Sequence, residues 1–313
     1  MDKKNIVIIG LGGVGGYFGF KISQNNELDQ QHEVSFVARG KTYDVVKNNG
    51  LTLVSQEHQK STTRPSSIYQ EISEIKNADL ILICVKEYDL ENVCSQLSEV
   101  IIKKTILLPM MNGADIYDRI RHIIPENIIL PSCVYVASHI KEKGIVEHKG
   151  KPGKLILGKD PLFANANVSW VKELIGKSKI DFEFKANSMI DIWTKFIFIA
   201  SFGLVTAKHN SSIGTVCNDD SQRKEASEIM KEIYQIATKK GIHLGENIIQ
   251  KTFKKAATFP PQTPTSLQLD VNSKKENNEL ELFAGAIINY GEILNIQYPF
   301  TLKIFNEIKK NVH

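Results

Sequence analysis

Cysteine and tryptophan are scarce in this chain of 313 residues, at four and two copies. Cys84, Cys94, Cys133 and Cys217 stand far apart and form no C-x-x-C pair, which argues against both a zinc-ligand set and a disulfide framework. Buried thiols in a reducing compartment are the expectation. A surplus of one charge is also lacking: 39 basic against 35 acidic residues give a net +4. That excess is too small and scattered for a nucleic-acid surface, though compatible with an anionic small molecule. No apolar run approaches the about 20 residues of a membrane span; the longest lies within Phe196–Ala207. The opening Met-Asp-Lys-Lys leads straight into a strand, unlike a signal peptide. The expectation is a soluble, cytoplasmic protein without membrane or nucleic-acid partners. Its length suggests two domains.

The first half alternates between two patterns. Runs rich in Val, Ile and Leu at Asn5–Ile9, Glu33–Ala38, Asp79–Val85 and Ile106–Met110 read as parallel strands covered on both faces. Helical patterns follow at Val14–Asn25, Thr42–Asn49, Leu90–Ile101 and Asp115–Ile123. This order predicts a doubly wound, mainly parallel α/β sheet of Rossmann type. Shorter runs at Val134–His139, Gly144–Glu147 and Lys154–Leu157 predict an antiparallel extension, with a helix near Val168–Ile175. Beyond Lys185 only helices are expected, at Ile190–Ala207, Ser221–Lys239, Glu279–Leu294 and Thr301–Val312. The boundary is placed at residue 186, giving a Rossmann-type α/β domain over 1–186 and a helical domain over 187–313.

Gly10, Gly12 and Gly15 form G-x-G-x-x-G between an apolar strand and a helix, the context that gives this pattern its meaning. The first glycine permits the tight turn, the second lets a pyrophosphate approach the backbone, and the third lets helix and strand pack closely. The loop Gly10-Leu11-Gly12-Gly13-Val14-Gly15 is the candidate dinucleotide site, with the helix N-terminus facing the phosphates. An NAD enzyme usually carries Asp or Glu at the end of the second strand; here stand Ala38, Arg39, Gly40 and Lys41. A guanidinium suits a 2′-phosphate, so Arg39 points to NADPH rather than NADH. Lys41 is equally well a solvated charge.

Ligands of open α/β sheets bind beyond the carboxyl ends of the strands. Two polar residues stand there, Lys86 and Asn112. A third candidate is Lys195, at the head of a helix with no charge from Phe196 to Ala207. A lysine there faces a cleft or a partner; an i,i+4 pair with Asp191 is an equal alternative.

The ordered set Gly10/Gly12/Gly15, Ala38-Arg39, Val85-Lys86, Asn112-Gly113, Trp193-x-Lys195, Thr265-Ser266 and Glu279 resembles the ketopantoate reductases (2-dehydropantoate 2-reductases) over nearly the whole chain. Ala137-Ser138-His139, Gly144-Ile145-Val146-Glu147-His148 and Leu155-Ile156-Leu157-Gly158 fit the same family. The resemblance implies a Rossmann domain followed by a helical domain of the 6-phosphogluconate dehydrogenase C-terminal type. It implies NADPH-dependent reduction of ketopantoate to pantoate, a step toward pantothenate and coenzyme A. By resemblance Lys195 would be the general acid and Glu279 would bind the nascent hydroxyl. Ser266 would hold the substrate carboxylate. Asn112 would lie near nicotinamide and substrate, and Lys86 near cofactor or substrate. Glu279 stands six residues before Gly285, as the family pattern has it, with Glu276 and Glu281 as the neighbouring alternatives. The partner implied is a small 2-oxo acid; a homodimer is compatible, and no metal is implied.

The match fails at three places. Where the family carries asparagines, this chain has Ile199 and Gly203, four and eight residues after the lysine, and Thr263, three before the serine. Loss of those amides predicts weaker binding of a hydroxylated substrate. A more apolar 2-oxo acid is the alternative substrate, and a protein that binds NADPH without turnover a further one. A dehydrogenase built on His139, His148 or His209 has no supporting signature.

Overall fold

The computed structural model describes residues 3–57, 59–275 and 277–312; Met1, Asp2, His58, Glu276 and His313 lie outside them. The chain divides into two units, one of residues 1–112 and 116–188, the other of residues 113–115 and 189–313.

Among the described residues the first unit holds thirteen strands: β1 (Asn5–Ile9), β2 (Glu33–Val37), β3 (Leu51–Ser55), β4 (Gln59–Thr63), β5 (Ser67–Tyr69), β6 (Leu80–Ile83), β7 (Ile106–Pro109), β8 (Ile128–Ile129), β9 (Ser132–Tyr135), β10 (Ser138–Glu142), β11 (Ile145–His148), β12 (Lys154–Gly158) and β13 (Asp181–Lys185). Its helices are α1 (Gly13–Asp29), α2 (Gly40–Asn49), α3 (Leu90–Val100), α4 (Ile116–Ile123) and α5 (Ser169–Lys177). Six strands make a fully parallel sheet in the order β5-β2-β1-β6-β7-β8, as the unbroken apolar runs of β1, β6 and β7 require. The order turns back on either side of β1, so the carboxyl ends of β1 and β6 flank a topological switch point. Ile6, Ile8, Phe18, Phe36, Leu80 and Leu82 are buried in the core of this unit.

The expected antiparallel extension is instead two separate small sheets, β10-β11-β3-β4 and β13-β12-β9. Both are mixed, with β3 parallel to β11 and β12 parallel to β13. The run expected as one strand over Val134–His139 is two, because β9 pairs with β12 and β10 with β11. The chain passes from one sheet to the other at Val136 and Ala137.

A buried ion pair fastens the far edge of this unit. Asp160, 1% exposed, accepts from Arg121 at 2.5 Å, from the Tyr117 hydroxyl at 2.8 Å, and from the backbone N–H groups of Ile129 and Leu162 at 2.7 and 2.9 Å. Burial, and then the bond to Asp160, push the Tyr117 phenol up to about 12.

The second unit is helical: α6 (Met189–His209), α7 (Ile213–Asn218), α8 (Asp220–Lys239), α9 (Ile248–Ala256), α10 (Ser266–Asn272), a π-helical turn Glu281–Gly285, α11 (Ala286–Leu294) and α12 (Pro299–Val312). α6 packs against α7, α8, α9, α10, α12 and the π turn. This explains its missing polar face: a helix surrounded by others is apolar all round. Fully buried Phe196 and Phe202 each contribute about 2–3 kcal/mol by leaving water. By length and composition α6 could cross a membrane, but 67% of its apolar stretch is buried within this bundle. The helix expected over Glu279–Leu294 is interrupted at its start by the π turn.

Candidate active site

The glycine loop is built as its spacing predicts. Gly10 has φ +89°, and a Cβ there would lie 2.8 Å from the Cys84 carbonyl oxygen. A Cβ on Gly15 would come within 1.9 Å of the Gly10 carbonyl oxygen, so helix and loop touch through bare backbone. Gly12 differs: nothing lies within 4 Å of the space a Cβ would take. Gly12 is also the N-cap of α1, which makes no side-chain cap bond and has no acid in its first turn. Gly13, Val14 and Gly15 form that first turn. The terminus therefore keeps its positive dipole end and its unspent N–H groups.

A cavity of about 210 Å³ opens beyond the carboxyl ends of the strands. Ile9, Gly10, Leu11 and Gly12 line it from β1, and Val37, Ala38 and Arg39 from β2. Thr42 in the first turn of α2, and Val85 and Asp89 after β6, complete the rim; Ile72, Val93 and Ile140 add apolar wall. Open space over Gly12, a bare helix terminus and flanking apolar residues fit a dinucleotide, with room for pyrophosphate and a surface for a flat base. The sequence pointed to Gly10, Leu11, Gly12 and Arg39 here. It missed Thr42 and the walls, whose chain segments only the sheet brings together.

The remaining residues fall as follows. Lys41 is exposed in the first turn of α2. Lys86, also exposed, is the N-cap of a short 3-10 turn, and Asn112 is half-buried beyond β7; neither lines the cavity. In the helical unit, Lys195 is half-buried near the start of α6, in contrast to the buried Trp193 and Phe196 beside it. Trp193 is held against Phe196 and Tyr290 at ring-centre distances of 5.9 and 5.7 Å, which fixes how α6 is rotated. Glu279 is 5% exposed, just ahead of the π turn. Its alternative Glu281 is exposed and pairs with Lys309 of α12 at 3.4 Å, while Glu276 lies outside the described residues. Ser266 is exposed in the first turn of α10. The preceding Thr265 caps that helix and meets the Thr206 hydroxyl of α6 at 2.7 Å.

The three departures from the family pattern have visible consequences. A Cβ at Gly203 would meet the Phe283 ring at 3.4 Å, so Phe283 of the π turn stands over the position. Ile199 is half-buried. Beside it, Phe198 stacks on Phe202 and on Phe259, with ring centres at 5.1 and 5.6 Å. The Thr263 hydroxyl is spent within its own loop, donating to the Pro260 carbonyl at 2.6 Å.

The three candidate histidines are engaged in structural contacts. His139 faces Glu147 at 3.4 Å, His148 packs on Tyr17 with its ring nitrogen 2.9 Å from the Lys151 carbonyl, and His209 meets Glu225 at 2.6 Å. Cys84 and Cys94 are buried thiols, pushed by that burial up to about 12 and so poor nucleophiles. Among the described residues no group of three or more His, Cys, Asp and Glu is placed to hold a metal ion.

A glycine loop at the switch point of a parallel sheet, followed by a helical domain with a half-buried lysine, defines an oxidoreductase of the dinucleotide-binding class. The chain belongs to the ketopantoate reductase PanE/ApbA family, whose N-terminal model matches residues 6–161 and whose C-terminal model matches residues 187–312. It is similar to the 2-dehydropantoate 2-reductase of Streptococcus pyogenes serotype M6, with 24% identity over 94% of each chain. Its fold matches a PanE/ApbA family ketopantoate reductase from Ralstonia eutropha JMP134, with a TM-score of 0.86 and 22% identity over 98% of both chains. It likewise matches a D-mandelate dehydrogenase solved with NADH and anilino(oxo)acetate, with a TM-score of 0.83 and 18% identity over 98% of both.

Proposed function

We propose that this protein reduces ketopantoate to pantoate with NADPH, a step toward pantothenate and coenzyme A. One observation carries the reading. A half-buried lysine heads a helix that is otherwise uncharged from Phe196 to Ala207, in a unit that also buries Glu279. Neither position is easily explained by solvation alone. On this reading residues 1–186 bind the cofactor and residues 187–313 carry substrate and catalysis. Gly10 to Gly15 cradle the pyrophosphate, and Arg39, Thr42 and the N-terminus of α2 favour a 2′-phosphate. The cofactor, when bound, supplies the hydride to the carbonyl carbon. Lys195 Nζ donates the proton to the developing alkoxide oxygen. Glu279 accepts from the nascent hydroxyl and orients the ammonium. Ser266 holds the carboxylate, and Asn112 and Lys86 lie toward nicotinamide and substrate. Buried thiols fit the cytoplasm, where we place the protein.

A second reading rests on Phe283 over Gly203 and on the half-buried Ile199 and Phe198. An apolar wall along α6 favours a 2-oxo acid with an apolar side chain over one that needs hydroxyl partners. The test is NADPH oxidation by the purified protein with ketopantoate, 2-oxoisovalerate and phenylglyoxylate. Fastest turnover with ketopantoate supports the first reading, and fastest turnover with either apolar acid the second. Nucleotide binding without oxidation in any of them would sink both.

A further inference from the structure

Arg39, the residue that favours a 2′-phosphate, faces an acid. Arg39 Nη1 stands 3.9 Å from Asp89 Oδ1, and both side chains line the cavity beyond β1 and β2. At 57% and 41% exposure they form a loose pair that either member can leave cheaply. Asp89 is the N-cap of α3, a position favoured for Asp because its carboxylate can accept a helix N–H, yet it makes no such bond. The other acid of the same turn, Glu87, is buried and taken up by Arg119 at 2.7 Å. Asp89 is therefore the acid of this turn that faces the cavity.

A carboxylate here treats two ligands oppositely. The 2′-phosphate of NADPH carries close to two negative charges. It must draw Arg39 away from Asp89 and then sit beside an uncancelled carboxylate. The ribose 2′-hydroxyl of NADH is neutral and can donate to that carboxylate, the contact that NAD enzymes normally take from an acid at the end of the second strand. This chain lacks an acid there, and the turn after β6 supplies one from fifty residues further on. We propose that Asp89 is a specificity-determining residue that makes this cavity accept both NADH and NADPH, with affinities within about tenfold of each other. The proposal rests on the reading that the cavity takes the adenosine end of the cofactor with Arg39 at the 2′ position.

The test is calorimetric binding of NADPH and NADH to the full chain, as wild type, Asp89→Asn and Arg39→Ala. Asparagine caps helices as well as aspartate does, so Asp89→Asn keeps the α3 terminus intact. Removing one screened charge from beside the phosphate should tighten NADPH about tenfold. The same change should weaken NADH several-fold, and the gain for NADPH should shrink in high salt. Arg39→Ala should weaken NADPH and leave NADH nearly unchanged. The proposal is overturned if Asp89→Asn leaves the NADPH-to-NADH ratio within twofold of wild type while Arg39→Ala shifts it, or if wild type prefers NADPH a hundredfold or more. If neither substitution changes either affinity, or neither nucleotide binds, the cavity reading itself fails and the proposal with it.

Discussion

The hydroxyls of Thr206 and Thr265 lie 2.7 Å apart, so the cap of α10 is tied to the last turn of α6. Thr206 Oγ1 also donates within α6 to the Phe202 carbonyl at 2.7 Å, and Thr265 accepts from the Gln268 N–H. This chain of bonds sets where Ser266 begins its helix. Replacing Thr206 with the isosteric valine should cost about 1 kcal/mol, the net worth of one such bond. Urea unfolding measures this; a midpoint unchanged from wild type would show the link to be idle.

Lys195 gives the sharpest functional expectation. A positioned general acid is worth about 10²–10⁴ in rate. Lys195→Ala should therefore lower turnover at least a hundredfold while the nucleotide dissociation constant moves by less than about twofold. Turnover near wild type would remove the assigned acid.

Asp160 anchors Arg121, Tyr117 and two backbone N–H groups in the interior. Asp160→Asn would leave a buried guanidinium without its counter-charge. Breaking one side of a buried pair costs about 3–5 kcal/mol, so the variant should unfold at clearly lower denaturant than wild type. A loss below about 1 kcal/mol would mean that water reaches Arg121.

Acid should weaken the end of α6. Burial pushes the Glu225 carboxyl up, but hydrogen bonds from Lys208 and His209 outweigh it and hold the group below its ordinary value. A carboxyl depressed in the fold contributes stability above its ordinary pKa of 4.5 and loses it as pH falls through the folded value. Glu225→Gln should therefore be less stable than wild type at pH 7, by about 1 kcal/mol for this partly exposed group, and the gap should close as pH falls from the ordinary carboxyl value through the folded one. Thermal melts over a falling pH series decide this; a gap that does not narrow in acid would assign the loss to packing.

Features carried by neighbouring residues were legible in the sequence. The glycine loop and Arg39 each lie within one strand-to-helix turn, so local spacing is enough to place both beside the same cavity. The unbroken apolar runs of β1, β6 and β7 likewise announce a parallel sheet. β4 went unread because it is mostly polar and exposed, and β5 because it spans only three residues. α7, α9 and α10 span 6, 9 and 7 residues, too few turns for a periodic pattern to stand out. Asp89 was invisible as a cavity residue, since only the pairing of β1 with β2 and β6 brings it opposite Arg39. Nothing local marks Phe283 as the cover of Gly203, because that meeting depends on the π turn.

The π turn also gives this scaffold a one-step dial. It carries one residue more than an α-helical turn would, so deleting a single residue between Glu281 and Gly285 would restore regular winding without cutting the chain path. Because the π turn takes up its extra residue within one turn, the chain on either side would keep nearly the same facing, and the change would fall on the turn itself, where Phe283 stands over Gly203. A length change of one residue would thus reset which side chain covers Gly203 while leaving α11 in place, a change that no single substitution makes.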